Sequence, residues 1–328
     1  MNKPTLFTFG FPDTDSPRYR NLVDTYKNEG WNVQECITHQ KGFFRKHKDL
    51  YRTYRSLSAS HAPPDAILVN FPGYYLVPLA WILTRYPRKQ LIFDAFVSVS
   101  DTLVSDRQLV SWLHPLAWMY YLADIISCHL ADEILIDTKA HEKFFASRFF
   151  LSQKNIRVIY VGTRKDLFTP GPKENVFSID KYNIVFIGTY IPLQGIEYIL
   201  HAAKLLEEQK DIHFTLIGKG QTYEEMQKLT QKLQLSNVTF YDFMPIVELP
   251  KYLRSADSAL GIFGTSSKAN RVIPHKVFDA VACGTPVITA KNAAIEEQFT
   301  DGEEVFLCEA GNPQSLAEAI VRLKQTQK

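Results

Sequence analysis

Short β-branched runs alternate with amphipathic stretches along almost the whole chain, and this rhythm constrains the fold more than any other feature. In the first half the runs are TLFTFG (5–10), NVQECI (32–37), AILVNF (66–71), LIFDAF (91–96), EILID (133–137) and RVIYV (157–161). In the second they are NIVFIG (183–188), HFTLIG (213–218), VTFYDF (238–243), SALGIF (258–263), PVITA (286–290) and EVFLC (304–308). Helical patterns lie between them, clearest at 17–29 (closed by Gly30), 139–149, 195–209, 222–234 and 313–325. Strand and helix in alternation imply parallel strands joined by right-handed crossovers. The expected class is therefore α/β, with two doubly wound, Rossmann-like domains facing across a cleft. The segment GTRKDLFTPGPKEN (162–175), rich in proline, glycine and charge, has linker composition. It sets the expected boundaries at 1–168 and 169–328, and a chain of 328 residues has length for two cores.

Composition removes several function classes. A hydrophobic content of 45% and a charged content of 22% belong to a folded chain. A net charge of +2 argues against a generally basic nucleic-acid binder, and no nucleic-acid partner is expected. The four cysteines are far apart, form no CxxC or metal-ligand spacing, and read as reduced residues of a cytosolic protein. The first residues lack the apolar core of a signal peptide. The stretch QLVSWLHPLAWMYYLA (108–123) is too short for a membrane span and reads as a buried or interfacial helix. Residues 41–55, KGFFRKHKDLYRTYR, interleave six Lys or Arg with Phe43, Phe44, Tyr51 and Tyr54. That pattern fits either a solvated helix face or contact with an anionic membrane surface. The expected location is cytoplasmic, with the inner face of a membrane as an option.

The chemistry concentrates in IPHKVFDAVACGTPVIT (273–289). A helix begins near His275, and Gly284 and Pro286 stop it. A helix start carries the positive end of the macrodipole. Yet His275 and Lys276 stand there, Lys268 and Arg271 lie just upstream, and no carboxylate occurs between residues 265 and 278. An anionic ligand would supply the missing charge. Lys276 could neutralise a diphosphate, and Asp279, on the same helical stripe, could accept hydrogen bonds from a sugar hydroxyl; a surface Lys–Asp pair is the alternative. In FIGTYIPLQG (186–195), Gly188 ends a strand and Gly195 opens a helix, a pairing that lets a phosphate approach backbone. In LIGKGQTYEE (216–225), Gly218 and Gly220 lack the third glycine of a dinucleotide fingerprint.

Residues 183–325 resemble the donor-binding domain of family 4 retaining glycosyltransferases, which have the two-domain glycosyltransferase B fold. The resemblance rests on VIYVGTRKDLFTP, FIGTYIPLQGIEYILHAAKLL, LIGKGQTYEEM, VTFYDFMPIVELPKYLRSADSAL and IPHKVFDAVACGTPVIT, in the family's order. It implies transfer of a sugar from a nucleotide-diphosphate sugar (UDP- or GDP-linked) to a hydroxyl of a glycan or lipid-linked saccharide, with retention. It implies no cofactor and no metal. The family's donor domain has two glutamates seven residues apart; here the second place holds Asp279 and the first Arg271. The family's arginine and lysine near the first glycine loop are replaced by Thr189 and Gln194, leaving Lys276, Lys268 and Arg271 as the substitute cations. The donor-site candidates are thus Gly188, Thr189, Gln194, Gly195, Gly218, Lys219, Lys268, Arg271 and His275, beside the catalytic candidates Lys276 and Asp279.

The same resemblance puts the acceptor on the first domain. Gly10, Asp13 and Arg18 lie in the loop after the first strand. Asp13-x-Asp15 looks like a metal motif, but between Pro12 and Pro17 it fits turn and cap chemistry better. Asp94 and Asp101, near the end of the fourth strand, are further catalytic candidates, with helix capping as the alternative for Asp101. Two other functions remain open: a non-catalytic sugar-nucleotide binder and a sugar-nucleotide 2-epimerase.

Overall fold

The computed structural model describes residues 3–60 and 63–327. They form two compact units, one reaching Val104 and resuming over Gln108–Val161, the other comprising Ser105–Arg107 and the chain from Gly162 onward. Residues 162–168, read from sequence as part of the first domain, group with the second. Phe168 is buried, and the Thr163 hydroxyl donates to Asp279 of that unit. Farther along the linker, Glu174 is tied to Ser255 and Arg254.

The first unit contains β1 (Thr5–Gly10), β2 (Asn32–Ile37), β3 (Ala66–Val69), β4 (Gln90–Phe96), β5 (Glu133–Ile136) and β6 (Ile156–Val158). Its helices are α1 (Pro17–Asn28), α2 (Phe43–Ser60), α3 (Val77–Leu83), α4 (Pro115–Leu130) and α5 (Lys139–Arg148). Every strand pair is parallel, in the order β2-β1-β3-β4-β5-β6. The strand period of two divides the core. Phe7, Phe9, Ile67, Leu91 and Phe93 pack against α2 to α5. Leu6, Leu68, Ile92 and Leu135 face the other way, onto Leu22 and Tyr26 of α1. Both faces are covered, which is why the strands read as nearly unbroken apolar runs. Local chemistry starts the helices: Ser16 caps α1 ahead of Pro17, and Thr138 caps α5.

The expected helix over 108–123 is displaced. It starts only at Pro115, with the His114 ring accepting the Leu116 N–H, and continues to Leu130. The proline has no N–H to donate and biases its predecessor toward extended backbone, so it can open the helix but not sit inside it.

The second unit contains β7 (Tyr182–Ile187), β8 (Ile212–Ile217), β9 (Val238–Tyr241), β10 (Ser258–Leu260), β11 (Val287–Ala290) and β12 (Val305–Cys308). Its helices are α6 (Ile196–Leu205), α7 (Tyr223–Lys232), α8 (Leu249–Ser255), α9 (His275–Ala282) and α10 (Pro313–Thr326). This sheet is also parallel, in the order β12-β11-β10-β7-β8-β9. Counted within the unit, that is the 3-2-1-4-5-6 order of the dinucleotide-binding fold, with the winding reversing between β7 and β10.

One buried carboxylate shapes the segment after β4. Asp124, on the inward face of α4, accepts the N–H groups of Val99 and Ser100 at 2.9 Å and the hydroxyls of Ser98 and Ser100 at 2.7 and 2.6 Å. Burial pushes its carboxyl above the ordinary value, while these donors pull it back. Asp124→Ala would strand two buried N–H groups. It is expected to cost about 2–4 kcal/mol in chemical denaturation, whereas Asp124→Asn should recover part of that loss.

Candidate functional site

In open parallel sheets the crevice for a ligand lies at the carboxyl ends of the strands where the winding reverses, because the two connecting loops leave in opposite directions there. In the second unit that point is flanked by Gly188 after β7 and Gly261 after β10. Lys276, in the first turn of α9, reaches into it. Its Nζ lies 2.5 Å from Gln194 Oε1, 3.5 Å from Gly261 O and 3.6 Å from the centre of the Phe186 ring. The glycine at 188 leaves it room: a Cβ there would stand 2.7 Å from the Lys276 nitrogen in its present position. Lys276 is buried, and among the described residues no carboxylate lies within ion-pair distance of it. Burial drives its pKa well below the lysine norm.

Three further loops frame this centre. Gly195 is left-handed (φ 64°), and a Cβ on it would meet Gly264 N at 2.5 Å. Gly218, at φ 128°, approaches Gly188 so closely that a Cβ would lie 2.1 Å from the Gly188 carbonyl oxygen. Backbone thus packs on backbone around the reversal point, and the loops after β7, β8 and β10 hold one another in place. One turn beyond Lys276, Asp279 is buried and accepts from Thr163. Loss of solvent raises its carboxyl to about 7, against the Thr163 hydrogen bond.

The structure therefore brings together Gly188, Gln194, Gly195, Gly218, Lys276 and, on the same helix, Asp279. The other donor-side candidates have different surroundings. Thr189 and the His275 side chain are exposed. Lys219 is ion-paired with Asp242. Lys268 is buried, and Arg271 donates to Ser267 Oγ at 2.5 Å in the turn that precedes α9.

The first-unit candidates are drawn into local structure. Asp13 Oδ1 accepts the Asp15 N–H in a turn, and Asp15 pairs with Arg20, so this acidic doublet does cap and turn work. Arg18 and Asp94 are buried and bound to each other at 2.6 Å, with Arg18 also donating to the Ile159 carbonyl. The pair sits where β4 shifts register against β5 and Phe96 takes φ 54°. Asp101 opens a short π-helical turn, but its own N–H is received by Ser98 Oγ, so the serine supplies the cap. Gly10 ends β1 at φ 142°, its carbonyl accepting from Thr38.

Sequence reading missed two partners. Thr163 comes from the linker, where nothing marks it. His141 is fully buried with Nδ1 2.5 Å from Asp137, and its Nε2 has no partner; the i,i+4 spacing at a helix start was the available signal.

Gly218→Ala is expected to cost about 3 kcal/mol or more in thermal unfolding, since both φ and space forbid the methyl group. For Asp279 the folded carboxyl binds its proton more tightly than the unfolded one. Its contribution to stability is thus present in full below about pH 4 and is lost as pH rises toward 7. Asp279→Asn should flatten that part of the profile and be more stable than wild type at pH 8 by on the order of 1–3 kcal/mol; denaturant titrations across pH check both.

Residues 171–328 match the family described as Glycosyl transferases group 1. Among curated relatives, the chitobiosyldiphosphodolichol beta-mannosyltransferase of Kluyveromyces lactis is 25% identical over 260 residues, which are 70% of this chain and 57% of that protein. The D-inositol 3-phosphate glycosyltransferase of Corynebacterium diphtheriae is 25% identical over 209 residues, 59% of this chain and 48% of that one. The chain spans about half the length of the curated relatives it matches. Among solved structures, sucrose-phosphate synthase from Thermosynechococcus elongatus superposes with a TM-score of 0.74 at 16% identity, covering 99% of this chain and 90% of that one. Anabaena Alr3699/HepE in complex with UDP gives 0.71 at 16% identity, covering 99% and 91%. The two-domain α/β architecture is the glycosyltransferase B fold.

Proposed function

We propose that this protein, whose residues 171–328 match the family of glycosyl transferases group 1, moves a sugar from a nucleotide-diphosphate sugar to an acceptor hydroxyl in glycan assembly. The observation that carries the reading is Lys276: a buried ammonium at the winding reversal with no carboxylate beside it. A diphosphate there would supply the missing charge and restore the lysine's protonated form. The N-terminus of α9 adds its free N–H groups and dipole on the same side. Gln194, standing where the family tends to have lysine, receives the Lys276 amine and aims it.

In the proposed reaction the acceptor oxygen bonds to the anomeric carbon as the bond from that carbon to the diphosphate oxygen breaks. The nucleoside diphosphate leaves with the electron pair, and a departing phosphate oxygen takes the acceptor proton. Lys276 stabilises the charge that develops on the leaving group, which is where such a site gains most. Asp279 would accept a hydrogen bond from a donor hydroxyl. Retention at the anomeric carbon, a hexosyl donor and independence from metal are finer parts of the proposal. The anomer of the product by NMR tests the first, and turnover in the presence of a chelator tests the last. UDP is the first nucleotide to try, since it is the ligand of the HepE complex.

The two remaining functions make distinct expectations. A 2-epimerase would convert the donor without an acceptor, and a non-catalytic binder would hold the nucleotide without turnover.

Lys276→Met keeps the apolar stem and removes the charge. Without ligand it should be at least as stable as wild type, because burying a lysine amine that no carboxylate pairs with costs folding energy. Its affinity for the nucleoside diphosphate should fall roughly tenfold to a hundredfold. Calorimetric titration and thermal unfolding check the two halves together. Undiminished affinity would remove Lys276 from the donor site.

A further inference from the structure

In a solvated helix the outward stripe is polar and the inward one apolar. Helix α4 departs from this. Its outward residues Trp118, Met119, Leu122 and Ile126 fall at i, i+1, i+4 and i+8, and each leaves about half of its surface exposed, from 48% to 55%. Its one carboxylate, Asp124, is buried, and it contains no lysine or arginine. Just upstream Leu113 is 94% exposed. A folded chain rarely presents so continuous an apolar strip to water without something to cover it.

What lies next to the strip identifies the cover. Helices α2, α3 and α4 pack side by side on one face of the first sheet, over a shared core. Tyr54 of α2 donates to Leu83 of α3, and Ser127 of α4 donates to the Tyr74 carbonyl just before α3. On α2, Arg45, Lys48, Arg52 and Arg55 recur at i, i+3, i+7 and i+10, all exposed, and among the described residues none has a carboxylate within ion-pair distance. Phe44, 84% exposed, stands at the start of the same helix. Unpaired cations beside aromatic and aliphatic side chains match the interface of an anionic bilayer, where basic groups meet the headgroups and rings and chains enter the acyl boundary. A solvated protein surface would interleave acids among those bases.

We propose that the outer face of α2, α3 and α4 docks this protein on the surface of an anionic lipid bilayer. Attachment is peripheral: among the described residues no helix is long and apolar enough to cross a membrane. Arg45, Lys48, Arg52 and Arg55 supply electrostatic attraction, and the α4 strip supplies burial. Neither suffices alone, which is the two-signal arrangement expected for stable but reversible anchoring. The proposal is independent of the reaction assigned above.

Flotation of the purified full chain with phosphatidylcholine vesicles, with and without added phosphatidylglycerol, tests it. Wild type should float with the mixed vesicles, bind them at least tenfold more weakly when salt is raised, and bind pure phosphatidylcholine poorly. The double variant Arg45→Glu, Arg52→Glu should lose roughly tenfold or more in partitioning. Trp118→Ser with Leu122→Ser should weaken binding similarly while leaving its salt dependence in place. Circular dichroism and the nucleotide-induced thermal shift show that each variant is folded. No binding to either vesicle, or unchanged binding by both variants, overturns the proposal. So does a wild-type dimer in light scattering that Leu122→Glu dissolves without any lipid effect, because the strip would then be a protein interface.

Discussion

A lysine ammonium held out of water with no carboxylate beside it sets the terms for the second unit. Lys276 is tolerated there only because Gln194 and the Gly261 carbonyl accept from it and the Phe186 ring faces it. Each of those supports makes its own demand. A Cβ at residue 188 would push the Lys276 tip out of its present position, and the loops after β7 and β10 must meet. Glycines at 195, 218 and 264 are what let those backbones come within contact of each other. The sheet's winding reversal makes the space, the glycines line it with main chain, and the lysine charges it. An anion bound there would relieve that electrostatic cost, which is the physical ground of the proposed donor site.

Asp279 shows the same economy with the opposite sign. Both groups are pushed toward neutrality by loss of solvent. They sit one turn apart on α9, yet they are not paired: Lys276 turns to Gln194, and Asp279 turns to Thr163. Two half-compensated groups one turn apart on α9 are what the proposed donor site rests on. In the first unit the buried charges are closed on each other instead. Arg18 and Asp94, and likewise Asp137 and His141, satisfy much of their need internally. That contrast in pairing is why the second unit carries the stronger argument for ligand binding. Asp124 does a third kind of work, with its acceptor capacity spent on the backbone and serines of the segment after β4.

The fold and the site were legible in the sequence to different depths. Every strand of both sheets falls on a run visible in the chain, and the central ones are plainest because burial on both faces makes them apolar throughout; the edge strand β2 (NVQECI) is more polar. Helix starts marked by Ser16-Pro17 or Asn312-Pro313 were readable for the same reason: caps are local chemistry. The start of α4 was misplaced because an apolar run shows where burial occurs but not where the helix begins, and Pro115 decided that. At the site, the excess of cations near α9 was plain, and Lys276 stood out among them by sharing a helical stripe with Asp279. The structure carries Lys276 to the reversal point, while Lys219 pairs with Asp242 and Arg271 donates to Ser267.

The sequence by itself determined the alternation of strand and helix, the class of fold, the linker and the surplus of positive charge ahead of α9. Those are properties of neighbours a few residues apart, and periodicity and composition record them. The tertiary structure decided the rest: which cation is buried, that Gln194 rather than an acid receives it, that Thr163 reaches Asp279, and that the apolar stripe of α4 faces outward. Those facts depend on strand order and on groups separated by 82 or 116 positions. No local pattern encodes which distant residues a wound sheet will bring into contact.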